Sequence, residues 1–229
     1  MADPISMLER PVYGYAETDR LLRVSPGTAR RWVNGYERLG RSYPPVVRPV
    51  STDSAWVTWG EFVECRLLSE FRSAIPMLKL RPVVDWLREH VDPRYPLSYA
   101  RPFLQPDGRE LLLRAQQATG LDEELWMIIP AGQHLLMTAT STRFTQATRY
   151  PPDNSGPAVS ITADTATPTV VLDPASRQGQ PSVRNIPTST IANLVAAGES
   201  VRFVADTYDF PVGVVEEAVT YEASRRRAS

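Results

Sequence analysis

Residues 15–36, YAETDRLLRVSPGTARRWVNGY, contain the pattern of two short helices joined by a tight turn. Ser25 is a residue type that caps helices with its side-chain oxygen, and Pro26 suits the first helical position, which needs no N–H. Apolar residues then recur at helical spacing, at Ala29, Trp32, Val33 and Tyr36. The apolar residues expected to pack against them from the first helix are Ala16, Leu21 and Leu22. The stretch therefore predicts a helix-turn-helix.

The other face of the second helix carries side chains that suit DNA. Arginine binds guanine in bidentate fashion, and asparagine binds adenine in the same way. Between Arg20 and Arg41 the chain has six arginines and a single acid, Glu37, although the formal net charge of the whole chain is only −1. Such a basic cluster is typical of a phosphate-binding surface, and a solvated basic face on an ordinary helical hairpin is the alternative. The predicted DNA-contacting residues are Ser25, Thr28, Arg30, Arg31, Asn34 and Arg48.

A small wing is expected directly after these helices. Residues 46–50 and 55–57 are short β-prone runs on either side of the sequence STDS, and they would form a hairpin. In such a hairpin Arg48 would reach a neighbouring phosphate. A plain connector that includes Pro44 and Pro45 is the alternative, which the residues alone leave open.

The middle of the chain, residues 58–157, combines helical and β patterns. Thr58 and Glu61 have capping-box spacing ahead of a helix. Residues 103–113, with Pro-Asp-Gly near their centre, predict a β-hairpin with an Asp-Gly turn. Residues 121–129 and 135–140 fit either two strands or a short helix followed by a strand.

The last part, residues 158–229, predicts one strand followed by three helices of helix-turn-helix shape. Gly198 is placed to end the first of these helices, and Ser200 is placed to cap the second. On the third helix we expect Glu216, Glu217, Thr220 and Tyr221 to face solvent. Because acidic residues there would repel phosphate, we assign DNA binding to the amino-terminal helices and expect this last part to form a homodimer.

A basic tail, Arg225, Arg226 and Arg227, follows the third helix. It would reach an acidic partner, or it would simply balance the acidic residues of that helix at the helix C-terminus. Taken together, the patterns predict an α+β protein of three domains, residues 1–57, 58–157 and 158–229.

Two parts of the chain resemble known families. The carboxyl-terminal part resembles a small helical domain of bacterial antitoxin-like proteins that are encoded beside PIN-domain ribonuclease toxins. The matching residues are Gly179, Pro181, Arg184, Ile186, Pro187, Ala197, Gly198, Glu199, Ser200, Tyr208 and Val215. The amino-terminal part is similar to the helix-turn-helix of MerR-type regulators. The residues of that match are Val24, Ser25, Pro26, Thr28 and Arg30.

The order of these parts resembles a mycobacterial VapB-type antitoxin. The resemblance implies a DNA-binding repressor of its own operon that neutralises a PIN-domain toxin of VapC type. Its partners would be operator DNA, the toxin and a second copy of the chain, and the tail Arg225–Arg227 is a candidate contact for the toxin. A MerR-like regulator whose middle domain senses a small ligand, with no toxin partner, is the alternative.

The residues give no indication of catalysis, a cofactor or a metal site. The two histidines, His90 and His134, are far apart in sequence and have no metal-ligand spacing. There is no glycine-rich phosphate loop and no nucleophile motif. The chain contains one cysteine, no signal-peptide pattern and no long apolar run, so we expect a cytoplasmic protein. Because no catalytic motif is found, we expect that it is not an enzyme.

Overall fold

The computed structural model describes residues 7–71, 77–154 and 156–227, with only the backbone of residues 77 and 227. The fold is α+β, as predicted. Contacts divide the chain into two compact units, which are residues 1–146 with 150–158, and residues 147–149 with 159–229. The predicted division of the first unit at residue 57 stays a prediction.

The first unit begins with a strand, two short helices and a hairpin. These elements are β1 (Pro11–Gly14), α1 (Tyr15–Leu22), α2 (Thr28–Asn34), β2 (Tyr36–Arg38) and β3 (Arg41–Tyr43). Leu21, Leu22, Ala29 and Val33 are buried, which confirms most of the predicted packing between the helices. Ala16 is exposed, however, and Tyr36 lies on a strand because α2 ends at Asn34.

Strand β4 (Trp56–Thr58) pairs antiparallel with β1 and leads into α3 (Trp59–Glu70), the central helix of this unit. The predicted capping box is confirmed. Thr58 Oγ1 accepts a hydrogen bond from the Glu61 amide at 3.3 Å, and Glu61 Oε2 accepts one from the Thr58 amide at 2.8 Å. Ten of the twelve residues of α3 are buried, and α3 contacts both α1 and α2.

The rest of the first unit is mostly helical. It comprises α4 (Arg81–His90), α5 (Arg101–Leu104), α6 (Pro106–Ala118), β5 (Ile128–Ala131), β6 (His134–Met137) and α7 (Ala139–Ala147). A 3-10 turn, Glu123–Leu125, precedes β5, so residues 121–129 follow the second of the two interpretations, a short helix and then a strand. Strands β5 and β6 form an antiparallel hairpin.

The β-hairpin predicted for residues 103–113 is wrong, because that segment forms α5 and α6. Pro106 occupies the first turn of α6, and Asp107 lies in the same turn, where a negative charge is favourable. A Cβ on Gly108 would lie 2.0 Å from the backbone oxygen of Arg101. The glycine therefore serves a close approach of two helices and not a hairpin turn.

The second unit contains a five-stranded antiparallel sheet and three helices. In the order β11-β10-β9-β8-β7, the strands are β7 (Thr148–Arg149), β8 (Ser160–Thr162), β9 (Val171–Leu172), β10 (Ser182–Val183) and β11 (Ile186–Pro187). The helices are α8 (Thr188–Ala196), α9 (Val201–Tyr208) and α10 (Val212–Arg227). The three helices were predicted correctly. So was the cap at Ser200, whose hydroxyl accepts a hydrogen bond from the Phe203 amide at 3.1 Å. The prediction of a single strand is wrong.

The outer face predicted for α10 is only partly exposed. Tyr221 is buried in the core of the second unit, with Val170, Ile191 and Val204. Glu217 accepts hydrogen bonds from the backbone amide and the hydroxyl of Thr169, at 2.9 and 2.8 Å. Glu216 and Thr220 remain exposed, so the acidic outer face is smaller than predicted.

Candidate nucleic-acid interface

Helix α2 begins at Thr28, and its N-terminus is capped from the preceding helix. Asp19 of α1 accepts hydrogen bonds from the amide of Gly27 at 2.6 Å and from the amide of Ala29 at 2.7 Å. The predicted side-chain cap at Ser25 is therefore wrong, since a buried carboxylate occupies that role and Ser25 is exposed. Hydrogen bonds to an ionised acceptor are stronger than bonds to a hydroxyl, and they hold α2 against α1.

Two of the predicted contact residues, Arg30 and Arg31, are exposed on α2. Arg31 Nη2 donates to the Thr28 hydroxyl at 2.8 Å, which joins a third predicted residue to the same surface. Among the residues that the structure describes, the side chain of Arg30 has no hydrogen-bond or ion-pair partner. This part of the predicted surface presents its guanidinium groups outward.

Asn34 is not available to DNA, because its side chain is fully hydrogen-bonded inside the protein. The amide nitrogen donates to the Tyr15 hydroxyl at 3.1 Å and to the Thr52 carbonyl at 2.8 Å. The amide oxygen accepts from Arg48 Nη1 at 2.8 Å and from the Thr52 amide at 3.1 Å. These four bonds are the full capacity of an asparagine side chain, so the predicted base contact is replaced by a structural role.

The predicted phosphate contact of Arg48 is also wrong, because this residue is buried and has a structural role. It is 6% exposed, and its Nε and Nη2 donate to the two carboxylate oxygens of Glu61 at 2.5 and 3.0 Å. Its Nη1 donates to Asn34 and to the Thr52 hydroxyl, and Nη2 also donates to the Trp56 carbonyl. Burial alone would lower the pKa of Arg48, but the hydrogen bond and charge of Glu61 raise it. The pair ties the end of α2 to the start of α3.

The wing lies at residues 36–43 and not at 46–57. Strands β2 and β3 pair antiparallel directly after α2, whereas β4 pairs with β1. At the base of the wing the rings of Tyr36 and Tyr43 stack with centroids 4.6 Å apart. At its tip a two-residue turn, Leu39 (φ +51°) and Gly40 (φ +72°), reverses the chain. Positive φ at both residues is the requirement of a type I′ turn, the tightest hairpin connection.

Several features of the wing tip are unfavourable for the isolated protein. Leu39 is 93% exposed, and a left-handed conformation costs a residue with a Cβ about 1–2 kcal/mol. Arg38 lies directly opposite Arg41 across the hairpin, an arrangement of like charges that destabilises strand pairing. Both arginines are exposed, and within the described ranges neither side chain has a hydrogen-bond or ion-pair partner.

Helix α2 and the wing thus bear four exposed arginines, at positions 30, 31, 38 and 41. All four belong to the basic cluster noted in the sequence, but only Arg30 and Arg31 were predicted to contact DNA. The hairpin does have a local signal, the sequence YERLGRSY, in which Leu-Gly separates two short runs of matching length. The capping role of Asp19 has no local signal.

The basic tail is part of α10, because the helix continues to Arg227. The guanidinium of Arg225 lies over the ring of Tyr221, 5.8 Å from its centroid, and 3.4 Å from a carboxylate oxygen of Glu222. Arg226 is exposed. Its predicted contact with a toxin stays a prediction.

Neither a cluster of metal-ligating side chains nor a membrane-spanning helix is present in residues 7–71, 77–154 and 156–227. Among those residues no three histidine, cysteine or acidic side chains come together as metal ligands would. None of the helices there has both the length and the apolar character that crossing a bilayer requires.

Comparison with known proteins places the chain in a family. It is 38% identical over 230 residues to the uncharacterised protein Rv2308 of Mycobacterium tuberculosis (strain ATCC 25618 / H37Rv), in an alignment that covers 97% of this chain and 94% of that protein. The chain therefore belongs to the same protein family as Rv2308. No model of a described protein family matches it.

Two more distant similarities extend over most of the chain. The putative antitoxin VapB45 of the same organism is 28% identical over 214 residues, which cover 86% of this chain and 88% of that protein. The crystal structure of Rv2018 from Mycobacterium tuberculosis superposes with a TM-score of 0.74 at 25% identity, over 93% of this chain and 99% of that one. The chain is thus related to a protein that is named as a putative antitoxin.

Proposed function

We propose that this chain is a DNA-binding antitoxin that neutralises a PIN-domain toxin of VapC type and represses its own operon. The observation that carries the DNA-binding part is the surface of α2, where Arg30 and Arg31 point outward from a helix whose start and end are both fixed by buried polar contacts. The similarity to the putative antitoxin VapB45 supports the toxin-neutralising part. In this proposal the chain is not an enzyme and needs no cofactor.

In this proposal α2 enters the major groove and the wing follows the adjacent backbone, in the manner of a MerR-like reader. Exposed guanidinium groups bind both phosphate oxygens and guanine edges. The capping carboxylate of Asp19 and the bonds of Asn34 hold α2 in one orientation, which base recognition requires. A homodimer would place two such helices about 34 Å apart, or a multiple of that distance, and would select an inverted repeat.

The DNA-binding part is tested by replacing the outward arginines of α2. We expect Arg30→Ala and Arg31→Ala each to weaken binding by about 1–3 kcal/mol where the side chain contacts a base. The measurement is fluorescence anisotropy at fixed salt concentration, with duplexes that the native chain has selected from a random library. Because selection precedes the measurement, no operator sequence has to be assumed.

Arg114→Ala is the matched control for these variants. Arg114 is an exposed arginine of α6, outside the helix-turn-helix and the wing, so its removal should leave the affinity unchanged. If all three variants bind as the native chain does, α2 is not the DNA-binding element.

The toxin-neutralising part is tested with the product of the neighbouring gene. We expect a tagged form of the full chain to copurify with a PIN-domain protein encoded beside it, and to suppress that protein's ribonuclease activity. Active ribonuclease in the presence of excess chain, with no complex on gel filtration, would contradict the antitoxin proposal and leave the DNA-binding proposal standing.

A regulator that senses a small ligand is the second candidate, and one observation favours it. The first unit has a cleft of about 450 Å³, bordered by the Arg48–Glu61 pair and by Glu9, Arg94 and Tyr95. This volume suits a small molecule, and the cleft shares Arg48 with the contacts that hold Asn34 at the end of α2. A neighbouring gene that encodes no PIN-domain protein would favour this candidate.

A further inference from the structure

The tip of the wing, residues 38–41, combines an apolar side chain with two positive charges at the most exposed point of the hairpin. Leu39 projects into solvent, and Arg38 and Arg41 lie directly opposite each other beside it. The type I′ turn would be better served by asparagine or glycine than by leucine at its first central position. The tip is therefore poorly suited to the free protein.

The base of the wing, by contrast, is well held. Tyr36 and Tyr43 are a directly opposed pair whose rings are almost parallel, with 8° between their planes. Gly35 approaches the other end of the hairpin so closely that a Cβ there would lie 2.4 Å from the Tyr43 carbonyl oxygen. The base of the hairpin is anchored to the end of α2, so the tip is held in a defined position.

A partner that favours such a tip must offer negative charge on two sides and an apolar surface between them. The minor groove of duplex DNA offers this chemistry, since phosphates line both of its sides and a base step that partly unstacks exposes apolar base faces between them. Proteins that use it insert apolar side chains between base steps and bend the duplex. Arginines beside the inserted side chain are attracted by the phosphates that line the groove.

We propose that Leu39 is a wedge that enters the minor groove next to the site of α2, with Arg38 and Arg41 on the flanking phosphates. This inference rests on the proposed DNA-binding function and adds to it a deformation of the DNA. A single leucine side chain fits the groove, which is about 6 Å wide, without the entry of the whole hairpin. The exposure of Leu39 and the repulsion between Arg38 and Arg41 are then features of the free state that DNA relieves, whereas the backbone cost at Leu39 remains and is offset by the contacts of its side chain.

The test is Leu39→Asn, a change that affects folding and binding in opposite directions. Asparagine tolerates the left-handed conformation, so we expect the melting temperature to rise by about 2–4 °C. We expect the affinity for the selected duplexes to fall about tenfold, because the wedge is lost. Energy transfer between dyes at the two ends of the duplex should report a smaller bend than with the native chain.

Two matched variants accompany it. Leu39→Met keeps an apolar side chain at the tip and should retain affinity and bend within about twofold. Leu136→Asn replaces another exposed leucine, on β6 in the other hairpin of this unit, and should leave DNA binding unchanged. Lower affinity for Leu39→Asn at equal or higher melting temperature separates loss of a contact from loss of the fold.

The outcomes distinguish the wedge from the proposed function. If Leu39→Asn binds and bends DNA as the native chain does while Arg30→Ala still weakens binding, the wedge is overturned and the function of α2 stands. If Leu39→Asn keeps its DNA affinity but no longer captures the neighbouring toxin, the tip binds protein and the wedge is likewise overturned. If the native chain selects no duplex at all, both proposals fail.

Discussion

Replacing Arg48 by methionine is expected to lower the free energy of unfolding by about 3–5 kcal/mol. The change leaves the carboxylate of Glu61, itself 6% exposed, buried without its cation. It also removes the donor that Asn34, Thr52 and the Trp56 carbonyl share. Methionine replaces the aliphatic stem of arginine but not its guanidinium group, so the loss combines the missing charge and hydrogen bonds with the space that the guanidinium leaves. Denaturant unfolding at neutral pH measures the effect.

Two further variants separate the buried pair from the mere loss of an arginine. Arg41→Met removes an exposed guanidinium of the wing and should change the unfolding free energy by no more than about 0.5 kcal/mol. The double variant Arg48→Met with Glu61→Gln should recover part of the loss, because no unpaired charge is then buried. A cost for Arg48→Met as small as that of Arg41→Met would show that the pair contributes nothing to stability.

The free energy of unfolding is also expected to fall as the pH rises from about 4.5 to about 8, through Glu64. Burial raises the pKa of this α3 carboxyl from 4.5 to about 8. The Leu97 amide, which donates to Glu64 Oε1 at 3.0 Å, and the charge of Arg88 oppose the rise. The negative charges of Glu61 and Asp92 add to it. In the described part of the chain Oε2 has no hydrogen-bond partner.

The sign follows from where the proton is held. Between these two pH values the folded chain keeps the Glu64 proton and the unfolded chain has released it. The contribution of this proton to stability is therefore complete below about pH 4.5 and is lost as the pH rises through about 8. The loss is on the order of 5 kcal/mol over this range. Unfolding curves at several pH values between these limits measure it.

Glu64→Gln provides the comparison, because glutamine keeps the acceptor for Leu97 and does not titrate. The variant should show a flatter dependence on pH and should exceed the native chain in stability at pH 8 by on the order of 5 kcal/mol. Glu110→Gln, on the exposed side of α6, should leave the native pH dependence unchanged. Parallel curves for the native chain and Glu64→Gln would mean that Glu64 is not the titrating group.

The features that the sequence predicted correctly are those written in neighbouring residues. The Thr58–Glu61 capping box and the Ser200 cap each involve residues three apart, and both are present. Pro-Asp-Gly misled because the same three residues suit both a hairpin turn and the first turn of a helix. Strands of two or three residues, as in the second unit, are too short to show an alternation of apolar and polar residues.

The candidate DNA-binding surface was harder to predict, because the residues that support it are distant in sequence. Arg48 and Glu61 are separated by 13 positions, and no periodic pattern shows that they pair. An isolated arginine after a presumed wing looks like a phosphate contact until its burial is known. The exposure of Arg30 and Arg31 was predicted correctly, because the apolar spacing of α2 alone decides which side of the helix faces outward.

The capping of α2 from Asp19 has a consequence for how the recognition surface can change. In many helices the capping side chain belongs to the residue that directly precedes the first turn, so mutations at that position lower the free energy of unfolding. Here the carboxylate that starts α2 belongs to the neighbouring helix, and it receives backbone amides, which every residue except proline supplies. The side chains of Ser25, Thr28 and Arg30 therefore take no part in capping α2. Under the proposed DNA-binding function, new sequence preferences could evolve at these positions with little loss of stability, while the scaffold stays the same.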